Sequence, residues 1–442
     1  MRAQVQPPPQ PDIAAVPRQQ VVAAAAASVL GWSFDLFDLF IILYVAPTLS
    51  QVFFPSDVPT LSLAAVYASF AVTLLMRPIG SGLFGPYADR HGRKQAMIVA
   101  VFGVGLVTAL MGTLPTIQQV GLLAPLLFLL LRLVQGVFVG GVVASTHTIG
   151  TETVPPRWRG LMSGMIGGGG GALGSLCASI VFYVVSSAFP GPAFTAWGWR
   201  VMFFSGILAA VLSFFVFRTV EESPLWRQLD AKRSRGQKTP LRTLLAGDFR
   251  AVLLVNLLIT VGAGTQYYLT SGYMPTFLAV INHVPGPVAG QMLILSSAIV
   301  VVLAPLVGHL SELAGRKRVL LVMAVLNLVI VPLAYLKLAQ FAGDDAGAIL
   351  PWMLIITSLG NSGYAPVLVF LNERFPTAIR ASGTGLSWNI GFAIGGMTPT
   401  FATALSGQVA NIPIALSIFL ATALVIQLVG LLVSPETRGH FV

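Results

Sequence analysis

Charge is what this chain has least of. Only 9% of its 442 residues are Asp, Glu, Lys or Arg and 55% are hydrophobic, against roughly a quarter charged in an ordinary soluble domain. That deficit excludes a conventional water-soluble globule and leaves a polytopic membrane protein. Cysteine is nearly absent: Cys177 stands alone, so no intrachain disulfide can form. The five histidines, at 91, 147, 283, 309 and 440, are scattered without ligand spacing, which argues against a metal site. Glycines 167–171 are followed by no Gly-Lys-Ser/Thr and lie in an apolar stretch, so they read as close helix packing and not as a phosphate loop. No cleavable signal peptide is evident, and the first long span is expected to act as its own insertion signal.

What the chain has is apolar length. Hydropathy, broken at charged or Pro/Gly-rich loops, gives twelve spans at 22–49, 61–84, 95–114, 122–149, 160–188, 198–218, 250–280, 288–311, 318–338, 348–371, 381–404 and 413–433. Most reach the ~20 residues that cross ~30 Å of hydrocarbon. The expected fold is all-α, with two pseudo-symmetric six-helix bundles. Its parts are a disordered Pro/Gln-rich tail (1–20), a first bundle (21–218), a cytoplasmic linker (219–249), a second bundle (250–433) and a cytoplasmic tail (434–442).

The net charge of +10 sorts by side. Counting loops from an inside N-terminus, Arg2, Arg18, Arg77, Arg90, Arg93, Lys94, Arg157, Arg159, the 218–250 group, Arg316, Lys317, Arg318, Arg374, Arg380 and Arg438 fall on one face. Arg200 and Lys337 fall on the other, and Arg132 is left inside a span. The positive-inside rule then places both termini in the cytoplasm of a multi-pass inner-membrane protein. The excess charge reports topology and attraction to lipid headgroups, with no support for nucleic-acid binding.

The halves repeat one another. Gly85, Asp89, Gly92, Arg93 and Lys94 recur at identical offsets as Gly308, Glu312, Gly315, Arg316 and Lys317, and Glu152, Pro155 and Arg159 recur as Glu373, Pro376 and Arg380. Two patterns recurring in order argue for duplication of a six-helix unit. A helix ending at Gly85 and turning at Gly92 would bring an acid and a basic cluster to neighbouring helix ends, where ion pairs form in one conformation and break in another.

Residues 80–94 (GSGLFGPYADRHGRK) resemble the signature loop of the major facilitator superfamily, and Arg132-Leu-Val-Gln135-Gly136 resembles its fourth-helix motif. Trp199-Arg200, Glu222-Ser223-Pro224, Glu373…Pro376…Arg380 and Pro435-Glu436-Thr437-Arg438-Gly439 are similar to the sugar-porter and metabolite:proton symporter branch. Asp35-Leu36-Phe37-Asp38 is similar to the Asp-Gly-x-Asp of aromatic-acid:proton and sialate/lactate:proton symporters, with Leu36 where many carry Gly. The resemblance implies conformational or gating roles for Gly85, Asp89, Arg90, Gly92, Arg93, Glu152, Arg159, Glu222, Gly308, Glu312, Arg316, Glu373, Arg380 and Glu436.

Asp35 and Asp38 lie one turn apart inside an apolar segment, where ionisable groups are costly and functional by default. Asp38 is sixteen residues beyond Val22 and Arg132 ten residues into a span entered from the other side, so at ~24 Å and ~15 Å of helix they meet near mid-membrane. In the resembling sugar:proton symporters an aspartate and an arginine at these two positions form the coupling pair. Two carboxylates sharing a face cannot both ionise cheaply, so one acid pairs with Arg132 and the other titrates. Asp38 is favoured as partner and proton site, with Asp35 tuning it; a static ion pair locking two helices is the plainer alternative.

Protonating Asp38 would free Arg132 for a substrate carboxylate, which a guanidinium holds bidentately. Gln135, Gln266, Tyr267, Tyr268, Asn361, Tyr364 and Asn389 are the expected walls of the substrate site, with Asn256 and Trp388 as further candidates. The expectation is a monomeric carrier and no enzyme. It would import a small organic anion with protons by alternating access, needing no cofactor beyond the proton gradient. A proton-coupled sugar or polyol symporter, a channel-like facilitator and a non-transporting receptor are the alternatives.

Overall fold

The computed structural model describes residues 18–91, 93–219, 249–343 and 345–439. Within these, the side chains of Gly85, residues 88–91, 93, 94 and 141–153 and a few others are not described. Gly92, Glu222 and most of the expected tail and linker lie outside the described residues.

The described chain runs as twelve successive helical passes: α1 Arg18–Phe53, α2 Pro59–His91, α3 Arg93–Met111, α4 Leu123–Thr153, α5 Pro156–Ala188, α6 Trp199–Thr219, α7 Phe249–Val280, α8 Gly286–Ala314, α9 Arg316–Leu338, α10 Ala346–Glu373, α11 Thr377–Leu405 and α12 Ile412–Val433. Among the described residues, nine of them have the length and apolarity to cross a membrane, all but α3, α6 and α11. Large apolar side chains stand exposed along these helices, such as Leu126, Val302, Leu333 and Leu432. Outward-facing leucines and valines suit a lipid solvent.

Packing repeats with a shift of six. In the first half α1 lies on α5, α2 on α4 and α3 on α6; in the second half α7 lies on α11, α8 on α10 and α9 on α12. The halves meet where α5 packs on α8, α2 on α11 and α1 on α7.

Glycine allows the closest of these approaches. A Cβ at Gly164 would stand 2.5 Å from the Ala304 carbonyl of α8, and one at Gly160 2.5 Å from the Gly308 carbonyl. With no side chain between them, backbones touch and dispersion contacts replace lipid.

Two passes wind irregularly at mid-depth. A π-type turn interrupts α5 at Met165–Gly169 and α7 at Tyr268–Gly272. α10 stops at Ser362 and resumes at Val367, across Gly363-Tyr364-Ala365-Pro366. Pro366 has no N–H to donate, so one bond of the helical ladder is missing where α10 is interrupted. One expectation is corrected here: α2 does not end at Gly85 but continues to His91. The turn of the repeated motif is visible in the second half, where Gly315, at φ 102°, separates α8 from α9.

Candidate functional site

Asp38 is buried on α1 and faces α3 and α4. It accepts hydrogen bonds from Thr108 Oγ1 and, at 2.7 Å, from Gln135 Nε2. The Gln135 carbonyl oxygen accepts from Arg132 Nη1. The amide therefore stands between carboxylate and guanidinium, its acceptor turned to the cation and its donor to the anion. This corrects the expected direct Asp38–Arg132 pair: Arg132 reaches Asp38 through Gln135. One helical turn separates Arg132 from Gln135, which puts both on one face of α4. Arg132 is otherwise held by the Ser69 and Phe70 carbonyls, at 3.4 and 3.5 Å, and lies 5.6 Å from the Phe70 ring centre.

Asp35 has a cation of its own, and it is not Arg132. Arg77 Nη2 stands 3.5 Å from Asp35 Oδ2, with both side chains buried. Arg77 is thus no loop charge on the basic face; it belongs to the interior. Its position inside the apolar 61–84 stretch was the signal for this, outweighed by its nearness to the basic loop. The pair lacks hydrogen-bond geometry: both Asp35 oxygens and Arg77 Nε are buried without a hydrogen-bond partner. Thr108 is the other site residue that sequence reasoning missed, since one threonine in an apolar helix carries no signal.

Among the described residues, the buried charges away from helix ends are Asp35, Asp38, Arg77 and Arg132, all in the first half. Facing them, the second half supplies neutral rings and amides. Tyr267 meets Phe40 edge-on at 6.1 Å and Tyr364 at 5.7 Å, while Tyr268 meets Phe70 at 5.4 Å. Trp388 stacks on Phe392 at 4.1 Å and meets Trp32 at 5.9 Å. Asn361 donates to Ser271 Oγ at 2.6 Å and accepts from Tyr364 OH at 3.1 Å, joining the break in α10 to the π turn of α7. Asn389 is half-buried on α11.

Gln266 does something else. Its Nε2 donates to the Gly360 carbonyl at 2.6 Å, and Asn327 Nδ2 to the Leu359 carbonyl at 3.1 Å, so these amides satisfy the backbone where α10 gives way. An unpaired carbonyl there would cost about 1–3 kcal/mol. Gln266, expected as a substrate wall, is a brace inside the second bundle. Asn256 lies buried on α7 with both amide atoms unpartnered.

The repeated motifs gather at one end of the molecule. Arg316 Nη2 is 2.6 Å from Glu312 and 3.2 Å from Glu373, and its Nη1 donates to Ser311. Glu436 accepts from the Arg316 and Lys317 backbone N–H groups at 2.8 and 3.2 Å, capping α9, where the helix dipole favours an anion. Glu373 also accepts from Thr437, and Arg380 donates to the Asn372 carbonyl. Glu312 crosses between halves by accepting from Gly160 N at 2.9 Å, and Gly308 lies against the same turn. Arg159 is buried beside it. Gly85, Asp89 and Arg90 fall within α2, Arg93 opens α3 and Glu152 lies in the last turn of α4, but their side chains are outside the described ones.

This is the arrangement of a duplicated six-helix carrier fold, and the sequence profile of the Major Facilitator Superfamily matches residues 23–400. The chain belongs to that superfamily. It is 29% identical to the inner membrane metabolite transport protein YhjE of Escherichia coli, with 93% of each chain covered. It is 28% identical to the glycine betaine/proline/ectoine/pipecolic acid transporter OusA of Dickeya dadantii, over 97% of this chain and 86% of that one. It is also 28% identical to the citrate-proton symporter of Klebsiella pneumoniae, over 85% and 84%. Among solved structures, the proton:xylose symporter XylE of the same superfamily superposes with a TM-score of 0.72 at 19% identity, covering 95% of this chain and 97% of that one. That likeness concerns the fold.

Proposed function

We propose that this protein is a secondary transporter that moves a small carboxylate-bearing molecule together with protons across the inner membrane by alternating access. One observation carries the reading: a buried carboxylate, Asp38, is linked to a buried guanidinium, Arg132, only through the amide of Gln135. An anion so placed needs a partner, a proton or water. When Asp38 takes a proton, Gln135 N–H loses its anionic acceptor and the relay that balances Arg132 weakens. The first bundle then holds an excess of positive charge, which attracts the carboxylate group of an entering molecule. Citrate and the zwitterions named for the relatives all carry that group. The irregular turns of α5 and α7 and the break in α10 are where helices bend while the halves rock.

In this reading the carrier works as a monomer, performs no covalent chemistry, and needs no cofactor beyond the proton gradient. The loop charges favour both termini in the cytoplasm. The test uses purified protein in liposomes holding a pH-sensitive dye. Added to the outside without an imposed gradient, a transported carboxylate should acidify the lumen, and a protonophore should abolish the signal. Uptake of substrate with no lumenal pH change in well-sealed vesicles would sink the reading.

A further inference from the structure

Asp35 and Arg77 have no task in proton coupling as described, yet both are buried at the junction of the halves. We propose that this pair is the recognition site for a zwitterion, a small molecule carrying an ammonium and a carboxylate: Asp35 takes the ammonium and Arg77 the carboxylate. The inference rests on the symport reading and names its substrate class.

Three observations and a charge-balance argument point there. The pair is poorly satisfied, 3.5 Å apart, with both Asp35 oxygens and Arg77 Nε lacking hydrogen bonds. A molecule bearing both charges can insert between them and supply the bonds each lacks. Arg132, by contrast, is already engaged by Gln135, two carbonyls and the Phe70 ring.

The pair also faces the other bundle. Phe70, Leu74 and Arg77 follow at helical spacing on one face of α2. On that face Phe70 touches Tyr268, and Leu74 lies against Gly396 of α11.

The opposing wall suits an ammonium. The rings of Tyr267, Tyr268, Tyr364 and Phe392 have centres 5.0 to 6.4 Å apart. Ring faces attract ammonium groups, methylated ones included, without the desolvation cost of a second acid. The Tyr267 hydroxyl is buried with no hydrogen-bond partner, a free polar group on that wall.

Finally, a lone carboxylate would leave Asp35 uncompensated once it captured Arg77. A zwitterion preserves charge balance at the site, so the buried anion is never left alone.

The experiment uses matched pairs on the full-length protein. Glycine betaine is compared with tert-butylacetate, in which carbon replaces the quaternary nitrogen, and L-proline with cyclopentanecarboxylate. Stabilisation against heat and competition for uptake are read for each. At least one zwitterion should bind about tenfold or more tightly than its carbon twin, which corresponds to ~1.4 kcal/mol. Asp35→Asn should erase the preference within the pair, and Arg77→Gln should weaken both members.

The double variant Asp35→Asn/Arg77→Gln leaves no buried charge unpaired, so it should stay folded and still lose the zwitterion. Equal binding of the twins by the native protein, or undiminished zwitterion binding by the folded double variant, would overturn the proposal. The symport reading fails separately: carbon twins that acidify the lumen as well as zwitterions refute this inference alone, whereas preferred zwitterion binding without proton entry supports it and refutes symport.

Discussion

At the scale of single residues, the central feature is that four buried charges form two units. Asp38 belongs to a relay ending in Arg132, and Asp35 to a loose pair with Arg77. If Asp38 must gain and lose a proton for the empty carrier to reorient, Asp38→Asn should abolish accumulation against a gradient, leaving a lumen-to-bath ratio of about one. Exchange of labelled for unlabelled substrate should persist, because the amide imitates the loaded, protonated acid; uphill accumulation by this variant would move proton coupling elsewhere. Gln135→Leu removes the mediator, leaving Asp38 with Thr108 and Arg132 with the Ser69 and Phe70 carbonyls, so it should cost about 1–3 kcal/mol of stability and most of the transport. Gln135→Leu protein that melts and transports like the native form would show that the relay is idle. The acids and Arg132 were legible in the sequence because charges in apolar runs are conspicuous. The partner of Asp35 was not, because Arg77 lies close enough in sequence to the basic loop to be counted with it, and only the rotation of α2 turns it inward.

At the scale of helices, α5 is the element on which most depends. It packs on α1 within its own half and on α8 across the interface, and its glycine run lies at the crossing. Packing was the expectation for glycines 167–171, and the structure bears it out while distinguishing the positions. A Cβ at Gly164, just before the run, would meet the Ala304 carbonyl and Pro305 Cα of α8, whereas one at Gly167 would meet nothing within 4 Å. Gly164→Val should therefore force two backbones apart, cost about 1–3 kcal/mol, and reduce uptake to a small fraction of native. Gly167→Ala should leave melting temperature and uptake nearly unchanged. Equal tolerance of both substitutions would mean that α5 and α8 are not held in this contact in the working carrier. The irregular turns of α5 and α7 were invisible to hydropathy, which sees apolarity and not hydrogen-bond spacing. The break in α10 had a trace in Gly363 and Pro366, but the amides that satisfy it, Gln266 and Asn327, come from other helices.

At the scale of the whole molecule, the sixfold shift in helix pairing was readable from two short motifs, whereas the closed state of the interface was not, since one sequence serves every conformation of the cycle. Here the halves are tied at the basic end by Glu312 on Gly160 N, at mid-depth by Ser175 on Ser297, and beyond it by Tyr67 on Thr276. Opening toward the basic end must break the first tie, and opening the other way the last. Glu312→Gln keeps an acceptor for Gly160 but surrenders the charge facing Arg316, so the basic end should part more readily. Since Glu312 lies at a helix end, far from the aromatic wall, substrate affinity should stay within about threefold while turnover falls several-fold. Site-directed labelling can follow both the tie and its orientation. In a Cys177→Ser background, a cysteine at exposed Ala314, beside the tie, and one at exposed Asp57, at the opposite end, should react with an impermeant maleimide from opposite sides of the membrane. Ala314→Cys should react only in inside-out vesicles, and Asp57→Cys only in intact cells. Efficient labelling of Ala314→Cys in intact cells would reverse the orientation that the loop charges favour, and with it the direction from which protons enter.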